Sequence, residues 1–566
     1  MEPKSVYEKR PWVKDYPEGV DADVSIPEIT LNQAFDESTE KWGNRTAIIF
    51  YGRKISFAKL REMTDRFATA LYDLGVRKGD RVGFLLLNSP EFVYAASAVW
   101  KIGAIVTPMS PVYSSPEIKH QLEDSGAEVF ICHDMLWEKV AKTGVRLNKV
   151  ILADIADSLP FLKRVAGKSI LRAVYQKMAV SSRSLPTGEG FYRFRDLLKK
   201  HPPEPPKVEI NPKEDICALP YTGGTTGAPK GVMISHYNLI TAELLSKITY
   251  PFESGKETIV SYMPFYHIAG LFLSNVRAII GGWTQVVLTT PHIDDIINAV
   301  VDYKATFFVG APTMYEMLKD YDKTDKVSWK NLKWCASGAD ALHEATAKGW
   351  QERTGVRIED WWGSTEFIAG ILTPLGKGKP GSIGIPIPNT EMAILDPEKD
   401  EFLPVDEIGE IAIIGPQVMK GYWNNLEAFE ECRATVSGKA WFRTGDLGKM
   451  DEEGHFYIYD RKKDLIKYKG LRVHGREVED VIKNHPQVNE VGVIGVPDRL
   501  VGQNIKAFVV LETDARGKVS EAEIIEYCQD KLSHYKIPRI VEFVGELPKT
   551  DVGKVSRREL REMEEE

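Results

Sequence analysis

From about residue 46 the chain alternates short apolar runs with amphipathic stretches. "TAIIFY" is followed by "SFAKLREMTDRFATALYDLG", then "DRVGFLLLN", a helical apolar pattern over 92 to 102, and "AIVTPM". Short apolar runs bounded by turn residues suit buried strands, and a 3.6-residue period suits helices packed on them. Their alternation predicts an α/β layer fold. A second alternating block runs from about 215 to 370, with "TIVSYMP", "QVVLTT", "ATFFVGAP" and "LKWCASG" as strands. From 381 to 459 the runs "EMAILD", "EIAIIG" and "GHFYIYD" lie between glycines and charged turns, which predicts a small β-rich module.

The charge run "DRKKDLIKYKG" marks a boundary. Beyond it, helix "EVEDVIKNH", strands "EVGVIGV" and "IKAFVVLE", and a helix opened by Ser520 with Glu523 as capping box supply a separate core pattern. The expected organisation is a large N-terminal domain over 1–459, a hinge over 460–470, and a small α+β domain over 471–566. The run most like a membrane span, "FVYAASAVWKIGAIVTPM" at 92 to 109, is interrupted by Lys101 and Gly103, and reads as a buried helix followed by a buried strand. Residues 161 to 183, "FLKRVAGKSILRAVYQKMAVSSR", carry six Lys or Arg and no acid, with Leu162, Val165, Ile170, Leu171, Val174 and Met178 near one helical face. A helix of this kind can lie on an anionic membrane surface, or pack on its own domain as an ordinary surface helix.

Composition narrows the class. At 566 residues the chain exceeds what one core supports. A formal net charge of -8 leaves no basic footprint for general nucleic-acid binding. Cys132, Cys217, Cys335, Cys432 and Cys528 are scattered singly, without zinc or dithiol spacing, and read as buried thiols of a reducing compartment. The N-terminal "MEPKSVYEKRPWVKDYPEG" is too charged for a signal peptide, so a cytoplasmic location is expected.

The stretch "YTGGTTGAPKGV" at 221 to 232 suits phosphate. Gly223, Gly224 and Gly227 let backbone N–H groups approach an anion, the hydroxyls of Thr222, Thr225 and Thr226 can donate, and Lys230 adds charge. It is not a Walker loop. Pro229 precedes the lysine, Gly231 follows it, and the flanks "ICALPYTG" and "GVMIS" read as strands, so no helix N-terminus follows. A plain Gly/Thr turn is the alternative.

Four other stretches supply complementary parts. "CASGADAL", with Gly338 and Ala339, and "EDWWGSTE", with Gly363, each end a strand in small residues and can line one cleft at a sheet's carboxyl edge. Trp362 can stack on a purine, Thr365 can bond a phosphate, and Glu366 can hold a hard divalent cation; Trp361 and Trp362 can equally be core. In "WFRTGD", Asp446 suits two ribose hydroxyls, or is a turn aspartate. In "PFYHIAG", His267 can steer a carboxylate, or is a core histidine. In "PKTDVGKVSRREL", Lys554 sits on a Gly-containing loop, where a solvated tail lysine is the plain alternative.

Together and in this order, "YTGGTTGAPKGV", "PFYHIAG", "WWGSTE", "WFRTGD", "DRKKDLIKYKG" and "PKTDVGKVSRREL" resemble the adenylate-forming superfamily of acyl-CoA synthetases, peptide-synthetase adenylation domains and firefly-type luciferases. The resemblance implies a small C-terminal domain that swings between two half-reactions. A carboxylate first attacks the α-phosphate of Mg-ATP, giving acyl-adenylate and pyrophosphate; the thiol of coenzyme A then displaces AMP. It further implies that Thr222 to Lys230 hold the β and γ phosphates, with Thr222 joining Glu366 at Mg2+, and that Trp362 flanks adenine. Thr365 meets the α-phosphate, Asp446 the ribose, and Arg461 lies nearby. Lys463 matches the hinge position, Lys554 the lysine that bridges carboxylate and α-phosphate, and Lys467 one used in the second half-reaction of luciferase-like members. Gly470 lies in the loop that approaches the pantetheine thiol. Two departures stand out: "VHGREVE" carries Gly475 where members usually show proline, which implies a looser loop, and Trp361 is bulkier than the residue often found there.

The reading that follows is a fatty acid–CoA ligase for medium to long chains, with Mg2+, ATP and coenzyme A. Small residues at Ala269, Gly270, Gly310, Gly338, Ala369 and Gly370 are expected to leave room for an acyl tunnel. The segment 161–183 is similar to an insertion of some long-chain members and is expected to offer peripheral membrane contact. Monomer and homodimer both stay open. The alternatives are an aryl-acid or fatty-acid ligase loading a carrier protein, and, from another class, a non-catalytic nucleotide or lipid sensor that keeps the fold.

Overall fold

The apolar run at 92 to 109 forms the helix Pro90–Lys101, every residue of which is buried, and the buried strand Ile105–Pro108. Ser89 caps the helix through the N–H of Phe92 and Pro90 occupies its first turn, where a missing N–H costs nothing. Gly103 turns the chain at φ +69°. The buried Lys101 is neutralised by Asp36, at 2.7 Å, and by Asp65. A buried cation with two carboxylates is tolerable where a lone one would not be.

The computed structural model describes residues 5–160, 186–222, 229–250, 252–290, 292–338, 342, 344–373, 378–379, 381–513, 515–550 and 554–565. The segment 161–183, Gly223, Gly224, Thr225, Thr226, Gly227 and Ala339 therefore lie outside the described residues.

Two large sheets form the body. One runs Ile385–Pro386, Ile371–Leu372, Ile358–Trp362, Trp334–Ser337, Phe307–Gly310, Thr258–Ser261, Thr284–Val287, Thr46–Phe50, Arg53–Ser56, parallel through its six middle strands. In the other, Arg81–Leu85 lies between Ile105–Pro108 and Val129–His133, all parallel, so strand order reverses about it as in a doubly wound layer. A third, antiparallel sheet holds Glu391–Leu395, Gly409–Ile414, Lys439–Met450, Arg433–Val436 and Phe456–Arg461. These are the layered α/β body and β-rich module expected from the apolar runs.

The last sheet, Leu471–Val473, Ile466–Tyr468, Gly502–Leu511, Val488–Asp498 with Ile540–Phe543, has its own core of Ile466, Val478, Ile482, Ile505, Val509 and Ile524. Ser520 and Glu523 form the expected capping box. The five cysteines are free thiols, four of them buried and Cys432 half-buried. Among the described residues no helix is long and apolar enough to cross a membrane.

Glu91, in the first turn of the buried helix, yields a pH prediction. Burial pushes its carboxyl up to about 7, although the Ser158 hydroxyl donates to it. Its native pKa exceeds its unfolded value, so between about pH 4.5 and 7 the folded state binds more proton and stability falls as pH rises. Glu91→Gln is expected to remove up to about 3 kcal/mol of that pH dependence. Melting temperatures of both proteins at pH 5 and 8 check this; equal pH slopes would refute it.

Candidate active site

The phosphate-type loop hangs between strands. Tyr221–Thr222 pairs antiparallel with Lys230–Ser235, Thr222 opposite Lys230 and Tyr221 opposite Gly231. The hairpin is anchored on both arms: the Tyr221 hydroxyl donates to Asp124 Oδ2 at 2.5 Å, and the Pro229 carbonyl accepts from His120 Nε2 at 3.0 Å. The next helix, His236–Thr249, starts at the far end of the second strand. A strand, not a helix N-terminus, therefore follows the loop, unlike the Walker arrangement.

Glu366 sits on a strained turn. Gly363 has no room for a side chain, because a Cβ would fall 2.0 Å from the Ile368 carbonyl oxygen. Ile368 itself adopts φ +56°, rare for a β-branched residue, with its N–H on the Ser364 carbonyl at 2.8 Å. The turn aims Glu366 back across the site. Its Oε2 accepts from Ser364 Oγ at 2.8 Å and its Oε1 from the Tyr422 hydroxyl at 3.1 Å. The Lys230 ammonium lies 5.2 Å from the centre of the Tyr422 ring. Burial and the Glu366 carboxylate push the Tyr422 phenol far up, so it stays a donor. Burial pushes the half-buried Cys432 thiol beside Lys230 and Tyr422 up.

Trp361 and Trp362 divide by strand alternation. The Trp361 indole donates to the Tyr250 hydroxyl at 2.6 Å and packs on Tyr250 and Phe307, within the aromatic core. Trp362 turns the other way: its indole donates to Asp446 Oδ2 at 3.0 Å and its ring packs on Phe367. Both meet the core alternative: Trp362 is buried in the main core and Trp361 is half-buried against it. Asp446 is not a turn residue. It lies inside the strand Lys439–Met450, just after Gly445 at φ +74°, where a bulge tips it inward. Asp446 is 4% exposed, opposite Arg461, whose Nε approaches Oδ1 to 2.7 Å. Burial and Arg461 push the adjacent Lys463 ammonium below its ordinary value.

His267 caps the helical turn Ile268–Gly270, accepting from the Ala269 N–H at 3.3 Å, and remains half-exposed. It is therefore not a buried core histidine. The turn runs into a π-helix over Leu271–Arg277, a form that concentrates at functional sites. Gly338 ends the strand beside Ile358–Trp362, so both strand ends open on one edge. Thr365 is half-buried on the Glu366 turn.

The expected tunnel glycines differ from the sequence reading. A Cβ at Gly270 would lie 2.0 Å from the Pro264 oxygen, at Gly310 2.9 Å from Tyr315, and at Gly370 2.9 Å from Trp362. These three permit close approach of protein to protein rather than opening space.

Contacts thus unite Lys230, Tyr422, Glu366 and Ser364 in one network, and Trp362, Asp446 and Arg461 in another. Lys467 and Gly470 sit with the small domain, Lys467 in the strand Ile466–Tyr468 and Gly470 in the turn after it at φ +77°. The Lys554 carbonyl accepts from the Thr550 N–H at 2.7 Å. Gly475 opens the helix Gly475–Lys483 and is buried; a Cβ would come 3.1 Å from the Val493 oxygen. This position is a tight helix–sheet contact, not the looser loop its glycine suggests. Tyr422 and Ser364 escaped the sequence reading, although "KGYWNN" carries a Gly–aromatic pair that could have drawn attention.

The family model described as "AMP-binding enzyme" matches residues 35–423, and "AMP-binding enzyme C-terminal domain" matches 477–554. A curated relative from Bacillus subtilis (strain 168), "Long-chain-fatty-acid--CoA ligase", is 36% identical over 566 residues, covering 99% of each chain. Among solved structures, ATP-bound MatB from Rhodopseudomonas palustris superposes with TM-score 0.81 at 27% identity, covering 94% of this chain and 99% of its own. The anthranilate CoA ligase AuaEII with anthranoyl-AMP gives 0.82 at 27%, covering 96% and 99%. With both domains matched and a relative of this identity aligned end to end, the chain belongs to the AMP-binding, adenylate-forming enzyme family.

Proposed function

We propose that the protein is an AMP-forming acid–thiol ligase that activates a medium- to long-chain fatty acid with ATP and passes the acyl group to coenzyme A. The full-length likeness to a long-chain-fatty-acid--CoA ligase carries this reading. In the first step a carboxylate oxygen bonds to the α-phosphorus and the bond to the β-phosphate oxygen breaks, releasing pyrophosphate. In the second, the thiol sulfur bonds to the acyl carbon, the thiol proton is lost, and AMP leaves.

Thr222 to Lys230 grip the departing pyrophosphate, Trp362 borders adenine, Asp446 accepts from the ribose hydroxyls, and His267 steers the carboxylate. Gly338, Ala339, Gly363 and Thr365 line the nucleotide cleft, and Lys554 bridges the carboxylate and α-phosphate. Lys467 and Gly470 serve the thiol step once the small domain turns about the hinge position at Lys463. The donor chemistry fits Mg2+: Glu366 and the Thr222 hydroxyl are hard oxygen ligands, and each Glu366 oxygen accepts one hydrogen bond, leaving a lone pair on each. Mg2+ when bound would neutralise phosphate charge. Catalysis then rests on positioned donors and cations at the in-line displacement.

Incubation with ATP, coenzyme A and a panel of fatty and aryl acids, with mass detection of thioester, tests the reading. Acyl-CoA from fatty acids is expected; adenylate without thioester would overturn it. The segment 161–183 is our proposed contact with anionic lipid. Co-sedimentation with phosphatidylglycerol vesicles but not phosphatidylcholine vesicles is expected, and equal recovery with both would refute it.

A further inference from the structure

The loop after Thr222 and the turn bearing Glu366 lie far apart in the chain, yet one short segment joins them. Residues 419 to 423 are bonded to the strand Lys230–Ser235 that leaves the loop and to Glu366. The Lys420 N–H donates to the Met233 carbonyl at 2.9 Å and the Trp423 N–H to the Gly231 carbonyl at 2.8 Å, so the strand Gly421–Tyr422 continues the sheet beyond Lys230–Ser235. On its other side, the Met419 N–H donates to the Glu366 carbonyl at 2.7 Å. Register places Tyr422 opposite Val232, two residues after Lys230.

From this backbone the Tyr422 side chain repeats the link. Its hydroxyl donates to Glu366 Oε1 at 3.1 Å and its ring lies 5.2 Å from the Lys230 ammonium. A cation at that distance from an aromatic ring is attracted by the ring quadrupole. Tyr422 is 8% exposed, so packing allows the ring little freedom. Ser364 Oγ, at 2.8 Å from Oε2, holds the second carboxylate oxygen. The two hydroxyls together fix the carboxylate plane while leaving a lone pair on each oxygen.

We propose that Tyr422 is a positioning residue that sets the Glu366 carboxylate and the Lys230 ammonium in one geometry, so that divalent cation and polyphosphate are bound as a unit. The proposal rests on the reading of Glu366 as the cation ligand. Outer partners of this kind typically govern metal affinity by about 10- to 10²-fold.

The full chain is titrated with Mn2+ in the presence of ATP, with free Mn2+ read by electron paramagnetic resonance. Tyr422→Phe keeps the ring and removes the hydroxyl; it is expected to weaken Mn2+ uptake about 10- to 10²-fold with the KM for fatty acid unchanged. Ser364→Ala, which removes the other bond to the same carboxylate, is expected to act in the same direction while leaving pyrophosphate affinity alone. Tyr422→Leu, which also removes the ring beside Lys230, is expected to weaken pyrophosphate binding in addition. If Tyr422→Phe binds Mn2+ like the parent while Glu366→Gln does not, the positioning role is wrong. If Glu366→Gln also binds like the parent, the cation reading of Glu366 falls and takes the proposal with it.

Discussion

Lys554→Ala is expected to slow acyl-adenylate formation by about 10²–10³, the cost of losing one donor that acts mainly in the transition state. The ammonium is assigned to the charge that builds as the carboxylate approaches the α-phosphate, and solvent cannot supply a substitute so placed. The Lys554 backbone is tied to Thr550: its N–H donates to Thr550 Oγ1 at 3.2 Å, and its carbonyl accepts from the Thr550 N–H. Alanine preserves both bonds. Acid-dependent pyrophosphate exchange measures the first half-reaction, and thioester formation from supplied acyl-adenylate measures the second. The second is expected to stay near the parent rate, since the lysine has no charge to meet there. An equal fall in both would show that Lys554 serves the small domain's fold or its docking.

Asp446→Ala is expected to weaken ATP binding by about 10- to 10²-fold, since hydrogen bonds to a charged group contribute about 1.5–3 kcal/mol. The change also strands a buried donor, because the Trp362 indole N–H rests on Asp446 Oδ2. It leaves Arg461 without the carboxylate at 2.7 Å as well. Asp446→Asn separates these effects. It retains an acceptor for Trp362 but loses the charge, so ribose affinity is expected to drop while melting temperature moves little. Equilibrium dialysis of ATP against each variant gives the affinity. If Asp446→Asn binds ATP as the parent does, the carboxylate is structural, a brace between the indole and the guanidinium.

The layered body and most of its elements were legible because they answer to local period. Apolar runs such as "TIVSYMP" and "LKWCASG" became the strands Thr258–Ser261 and Trp334–Ser337, and the broken run at 92 to 109 split where Lys101 and Gly103 said it should. The flanks of "YTGGTTGAPKGV" formed a hairpin, as the absence of a helical pattern after Lys230 required. Asp446 was harder. A Gly–Asp pair ordinarily signals a turn, but the neighbouring strands Gly409–Ile414 and Phe456–Arg461 hold this pair inside a ladder and convert the turn signal to a bulge. The glycines at 270, 310 and 370 misled for a related reason. A small residue marks close approach, and the sequence does not say whether ligand or protein makes it.

By itself, the sequence determined the strand-and-helix order, the caps, the hairpin that presents Lys230, and the order of motifs by which the family can be read. These depend on residues within a few positions of one another. The tertiary structure alone decided which face each tryptophan of the pair presents and how Asp446 is tipped toward Trp362. It also decided that Tyr422 stands between Lys230 and Glu366. Those juxtapositions follow from the pairing of Val232 with Tyr422 and of Asp446 with Arg461, and a register between strands remote in the chain is set by side-chain packing of the whole sheet.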